Sequence, residues 1–320
     1  MQIREICTEQ KGNDSKMNNE NQDMQSQGFI ARHARIVTII AVVFGATSGI
    51  FGSLVDAPSM MIGFGRLTLA LPFFGIPILM KEETRKQLFS VSRKDLLWCF
   101  ITGAFLFGHF FSWFNAVKYT NVASASVLAA LHPLVVLLVT VFFYKKKVPL
   151  KAVVAIIVAL IGGAIITGAD LSAFAGGQAK GNILAFLAGM FMGLYFAAGD
   201  EARKRISGSV YVFLVFAGCW ICFTIGMIGT QTPVFGYQTS DYVYIIIMTL
   251  VCQIGAHAVF NMCIGYVSSL YVSAWESAEP VFATILAVFV LGQIPTVYEI
   301  IGCVIVVGAL LYYNRQCQDS

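Results

Sequence analysis

Repeated runs of about 20 apolar residues leave this chain few folds to choose from. At about 1.5 Å per residue, a helix of that length spans the ~30 Å hydrocarbon core of a bilayer. Backbone N–H and C=O groups in lipid must be satisfied internally, and a single helix does this within its own segment. Ten runs qualify: 36–55, 59–80, 96–117, 122–144, 150–168, 182–199, 209–230, 242–265, 270–292 and 297–313. Only 12% of residues are charged and mean hydropathy is +0.76, about half the charge of an average soluble domain. The expectation is an all-α polytopic membrane protein of ten transmembrane helices. Residues 1–35 are rich in Asn, Gln, Glu and Lys without an apolar period. They read as a disordered tail and not as a signal peptide.

Lysine and arginine set the orientation. With the N-terminus in the cytoplasm, Arg32, Arg35, Lys81, Arg85, Lys86, Arg93, Lys94, Lys145, Lys146, Lys147, Lys151, Arg203, Lys204, Arg205 and Arg315 fall inside, against Lys118 and Lys180 outside. Both termini are therefore expected in the cytoplasm, with the chain multi-pass in the cell (plasma or inner) membrane. The net charge of +4 is explained by this placement, so no nucleic-acid partner is expected. The eight cysteines are scattered and form no disulfide framework. Cys219 and Cys222 make a literal C-x-x-C inside an apolar run, read as packing. Cys317 stands four from the end without aliphatic neighbours, which argues against prenylation.

The two halves echo each other. At an offset of 147, Tyr119, Ser126, Pro133 and Phe142 match Tyr266, Ser273, Pro280 and Phe289. At 146, Pro149 and Gly162 match Pro295 and Gly308; at 148, Ala41, Gly45 and Gly49 match Gly189, Gly193 and Ala197. Small residues at every fourth position let helices approach closely. Five helices per half is an odd number, so the second half enters the membrane upside down. The expected domains are 36–168 and 181–313, two inverted five-helix repeats around a central cavity. Inverted repeats of this kind place a transported solute at their interface near the midplane.

Several short motifs then stand in order: Phe44-Gly45, Arg66, Tyr119-Thr120, Ser124-Ala125-Ser126 and Pro133, followed by Met192-Gly193-Leu194-Tyr195, Glu279-Pro280-Val281-Phe282-Ala283 and Leu291-Gly292. In these the chain resembles ten-helix members of the drug/metabolite transporter superfamily with two EamA-type domains, over residues 36–313. The resemblance implies that helices 1, 3, 4, 6, 8 and 9 surround the cavity, and that amino acids or other metabolites are moved. Tyr144-Lys145 and Gly292-Gln293 replace the Gly-Glu that such members often carry there, so no role is borrowed from those glutamates.

Ionisable groups deep in apolar spans are functional candidates, because charge in hydrocarbon is expensive. Here they are Glu276, Glu279, His109, His132, His257 and Arg66. Glu276 and Glu279 are one turn apart on one face, and Pro280 leaves the Glu276 carbonyl without its helical partner. Solute-amine binding and proton carriage are the functional readings; a structural bond to a neighbouring helix is the alternative for Glu279. His132 precedes Pro133 as Glu279 precedes Pro280, so His132 and Glu279 are expected to meet near the centre. His109 with Trp113, and His257 with Asn261, form polar stripes one turn apart, and interhelical bonding is the plainer alternative for each. Trp275 and Tyr195 are candidates for an aromatic lining that could hold an ammonium. Arg66 is near enough to the end of its run to snorkel to the interface; the resemblance implies a structural anchor, with solute binding second. Pro133, Pro280, Gly45 and Gly193 are hinge candidates. No three-ligand metal set, cofactor motif, P-loop or catalytic constellation occurs.

The expected function is secondary transport of a small organic solute by alternating access, as a monomer or homodimer, with proton coupling as one option. Two other classes compete: a membrane-embedded enzyme acting on a lipid-like intermediate with its acids and histidines, and a scaffold without flux. An enzyme would form product without any gradient, and in a scaffold cavity substitutions would be silent.

Overall fold

A computed structural model describes residues 29–120, 122–166, 179–291 and 296–316. Regular structure among them is helical throughout. The elements are α1 (Phe29–Gly45), α2 (Ser48–Ser53), α3 (Ser59–Met80), α4 (Glu82–Ser90), α5 (Arg93–Tyr119), α6 (Val122–Ala129) and α7 (His132–Leu138), which runs into a π-helical turn at Val139–Phe143. There follow α8 (Leu150–Ile166), α9 (Ala179–Ala202), α10 (Gly208–Gly229) and α11 (Thr239–Met248), which widens into a π-helical stretch at Thr249–Ala258 and continues as α12 (Val259–Cys263). Last come α13 (Ser269–Glu276), α14 (Glu279–Leu291) and α15 (Val297–Gln316). The first 28 residues, the 167–178 connection and the Gly292–Pro295 segment lie outside the described residues.

Among the described residues, six helical stretches are long and apolar enough to cross a membrane: Phe29–Gly52, Ser59–Met80, Arg93–Tyr119, Ala179–Ala202, Gly208–Gly229 and Thr239–Cys263. Shorter apolar helices run over His132–Phe143, Leu150–Ile165 and Ile300–Gln316. Phe73, Ile76, Ile225, Ile228, Val304 and Leu311 point outward and are exposed. So much apolar surface suits a lipid surround and not water.

One expectation is corrected at the edge of a span: residues 29–35, read as part of the tail, are already helical, with a kink at His33 (φ −125°, ψ 22°). The polar segment after α3 folds into α4, with Glu82 and Glu83 in the first turn, where acids favour the helix dipole, and a 2.6 Å Glu82–Lys86 pair.

The segments pack in pairs. α9 lies along α5, α15 along α8, α10 along α3, the 249–258 stretch along α1, and α13 against α7. Gly189 and Gly193 allow a further close approach, of α9 to α6 and α7. A Cβ on Gly189 would lie 2.6 Å from the Ala129 carbonyl oxygen, and one on Gly193 would lie 2.5 Å from the Val135 Cβ and 2.8 Å from the His132 carbonyl oxygen. α9 therefore presses its backbone onto the junction of α6 and α7.

The spans that carry Pro133 and Pro280 are broken, whereas α3 keeps Pro72 and Pro77 within one helix. Ala130 N bonds Ser126 O (2.9 Å), Leu131 N bonds Leu128 O (3.4 Å) and Leu134 N bonds Leu131 O (3.0 Å). In the other half Ser277 N bonds Ser273 O (3.2 Å), Ala278 N bonds Trp275 O (3.0 Å) and Val281 N bonds Ala278 O (2.9 Å). Each bond has its counterpart at the same offset of 147. The tight turns arise because Pro133 and Pro280 have no N–H to continue the ladder. They put His132 first in α7 and Glu276 last in α13.

Candidate functional site

The breaks face a cavity of about 130 Å³. A cavity of about this size is known to hold a benzene-sized molecule. It is lined from α1–α2 by Gly45, Ala46, Ser48, Gly49 and Ile50, from α5 by His109, Phe110 and Trp113, and from α6–α7 by Ser126, Ala129, Ala130 and His132. Met192 of α9, His257 and Phe260 of the 249–263 segment, and Glu276, Glu279 and Pro280 of α13–α14 complete it. In the numbering of the ten apolar runs, these are segments 1, 3, 4, 6, 8 and 9.

His132 is the centre of the polar wall. Its Nε2 lies 3.0 Å from Glu276 Oε2 and 3.1 Å from the Ser273 carbonyl oxygen, and its Nδ1 lies 3.0 Å from the Ala129 carbonyl oxygen. Both nitrogens thus face acceptors. Only the doubly protonated ring donates from both, so the geometry describes an imidazolium paired with a carboxylate. Both side chains are about nine-tenths or more buried. The pairing differs from the expected one, in which His132 meets Glu279. The turn at Ser277–Ala278 shifts the register, so Glu276 and not Glu279 reaches across. Glu279 remains on the cavity wall.

His109 Nδ1 donates to the Ala188 carbonyl oxygen of α9 at 2.9 Å, which leaves the other ring nitrogen as an acceptor when the ring is neutral. Its ring centroid lies 6.1 Å from that of His257, which stands edge-on to Phe110 at 4.9 Å. Trp113 joins them on the wall.

Other sequence candidates lie elsewhere. Tyr195 is fully buried and accepts a hydrogen bond from Asn261 Nδ2, which also donates to the His257 carbonyl oxygen at 2.9 Å. This pair forms a layer below the cavity with Phe196 and Phe260, whose rings meet edge to face at 6.0 Å. Trp275 is buried beside Tyr271, 6.5 Å between centroids. Neither Tyr195, Asn261 nor Trp275 lines the cavity. Gly193 and Pro133 are buried packing positions, while Gly45 is a wall residue whose nearest neighbour, Ala256 Cβ, is 3.7 Å from where its own Cβ would be. Arg66 does not snorkel. It is 0% exposed, with its guanidinium 4.5 Å from the Phe110 ring centroid. Phe110 and Phe260 are not singled out by sequence, because apolar residues on apolar helices give no signal of facing.

Below the Tyr195 layer the ends of α9 and α13 are tied. Asp200 accepts from Ser269 N and Ser269 Oγ, both at 2.9 Å, with Lys146 Nζ at 3.8 Å. Arg203 donates to the carbonyl oxygens of Asn261, Ile206 and Met262, which compensates the free carbonyls at the end of α12. On the opposite side, Ser126 and Leu128–Leu131 are only half-buried, whereas all residues from Ser269 to Ala278 are buried. Among the described residues the cysteines are free thiols, Cys219 and Cys222 included.

Known proteins agree with this architecture. A solved crystal structure superposes with a TM-score of 0.71 at 19% identity, covering 89% of this chain and 98% of that one. An uncharacterized transporter of Clostridium kluyveri is 24% identical, with 89% of this chain and 94% of that protein aligned. The uncharacterized transporter YxxF of Bacillus subtilis is 25% identical, over 88% and 90%. The EamA-like transporter family matches twice, at residues 34–168 and 179–315, nearly the whole chain. The chain therefore belongs to the EamA-like transporter family, as a membrane protein assembled from two copies of one repeat.

Proposed function

We propose that this protein is a secondary transporter that moves a small organic solute, such as an amino acid or other metabolite, through the central cavity by alternating access. The observation that carries the reading is the cavity itself. Two broken helices meet there, one from each repeat, with the His132–Glu276 pair on its wall. Ten crossings result when α1–α2, α6–α7, α11–α12 and α13–α14 each count once and α4 lies at the surface. Exchanging each crossing with the fifth after it maps the packing pairs onto themselves, as two inverted repeats require. Both termini are assigned to the cytoplasm of the cell membrane by the lysine and arginine bias.

The half-buried rim at Ser126 and Leu128–Leu131 supports reading this conformation as open away from the basic side. The Tyr195–Asn261 layer and the Asp200–Ser269 tie are then the closed gate. Glu276 and His132 are the groups assigned to solute or proton binding. The test is flux of radiolabelled amino acids and metabolites into proteoliposomes, with and without a pH gradient, beside Glu276→Gln. Saturable flux that the variant loses supports the reading. Wild-type rates and an unchanged pH dependence in Glu276→Gln remove Glu276 from the cycle, and no flux of any solute overturns transport.

A further inference from the structure

Arg66 brings a positive charge into the packed interior, where no ion pair to it forms among the described residues. Its side chain is wholly buried, and Nε and both Nη atoms have no hydrogen-bond partner. The guanidinium rests on two rings, 4.5 Å from the Phe110 centroid and 5.5 Å from that of Phe114. Among the described residues, Cys252, Cys219, His109 and His257 are near enough to interact with its charge, and none of them is a carboxylate. Aromatic faces attract a cation but supply no acceptors for its five N–H bonds. An isolated buried charge is far more costly than these contacts repay.

The neighbourhood repeats the pattern. Gln253 is fully buried with neither amide atom bonded, and His257 Nδ1 is buried without a partner. Gln253 and His257 are about one turn apart on the 249–258 stretch, which packs against α3, the helix of Arg66. Folded interiors leave very few polar groups unsatisfied, so an unpaired cation on one helix and unpaired amide and imidazole groups on the stretch packed against it mark a place for a ligand. The donors and the charge select an anion. Water would satisfy N–H groups and leave the charge unbalanced.

We propose that Arg66, Gln253 and His257 form a binding site for a small monovalent anion, a halide or a carboxylate, behind the Phe110 wall of the cavity. Phe110 and His257 belong both to the cavity lining and to the surroundings of Arg66, so the site adjoins the solute path. The proposal does not depend on transport, because binding is measured without flux.

The test is equilibrium dialysis of the purified full-length protein in detergent, in a buffer whose only other anion is bulky isethionate. Radiolabelled chloride and radiolabelled acetate are the probes. Saturable binding of one probe per chain is expected, weakened by about tenfold or more in Arg66→Gln, as for loss of a charge-assisted contact. Chloride binding that acetate does not displace identifies an inorganic anion; acetate binding or displacement identifies the carboxylate of a solute. No saturable binding of either probe to folded wild-type protein overturns the site, as does wild-type affinity in Arg66→Gln. If Arg66→Gln does not fold, Arg66→Lys and Gln253→Leu carry the test, and unchanged affinity in both overturns it.

Discussion

His132 and Glu276 sit on opposite proline-broken spans, and the imidazole Nε2 lies 3.0 Å from the carboxylate Oε2. The pair joins the two repeats at the cavity wall. Because Nδ1 is also committed to the Ala129 carbonyl, the ring has no spare acceptor. Removing either partner leaves a buried charge alone, which typically costs about 3–5 kcal/mol. His132→Leu and Glu276→Leu are each expected to lower the detergent unfolding midpoint strongly. The double variant should recover much of the loss, since replacing a whole buried pair by apolar side chains is often near neutral. Additive losses in the double-mutant cycle would show that the two groups act separately.

Gly193 and Gly45 occupy matched positions in the sequence repeat but have different surroundings. Gly193→Ala forces a Cβ to within 2.5 Å of Val135 Cβ, so an overpacking loss of about 1–3 kcal/mol is expected. Gly45→Ala meets nothing closer than 3.7 Å and should leave stability within about 0.5 kcal/mol of wild type. Thermal unfolding of the two purified variants decides it; equal losses would contradict the packing described.

Ala130 lines the cavity and is half-buried. Ala130→Leu directs three further carbons at a space of about 130 Å³. Flux in proteoliposomes should fall by about tenfold or more, while the unfolding midpoint moves little, because the added group fills an opening and not a packed core. Unimpaired flux would move the solute path elsewhere.

Asp200 holds Ser269 through two hydrogen bonds of 2.9 Å. Asp200→Ala should remove about 1–3 kcal/mol from that end, the range for charged hydrogen bonds, and loosen α13 against α9. Cys263, buried at the end of α12, is then expected to react faster with a maleimide in an otherwise cysteine-free background. An unchanged labelling rate would show that this tie does not hold the end closed.

Much of the fold was legible because the length and composition of apolar runs answer to bilayer thickness. The positions of the breaks were legible in part, since a proline removes a specific hydrogen bond. The direction in which the chain leaves each break was not. The turn at Ser277–Ala278 rotates the chain, so the helical face that an unbroken helix would give Glu276 and Glu279 does not predict which one His132 meets. The π-helical stretch at Thr249–Ala258 likewise turns His257 by an amount that a 3.6-residue period misjudges. Asn261 and Tyr195 have the chemistry of a cavity lining, yet they hydrogen-bond to each other below it. Residue type gives the chemistry available, and only packing says which way it faces.

The contact of Gly193 with the carbonyl of His132 also has a mechanical meaning. With no side chain between them, the backbone of α9 is the fulcrum on which the α6–α7 elbow rests. Under the proposed alternating access, bending that elbow to reorient the imidazole would slide α9, which near its end carries Asp200, bonded to the start of α13. The cavity wall would thereby be geared to the far end of the molecule without any long-range field.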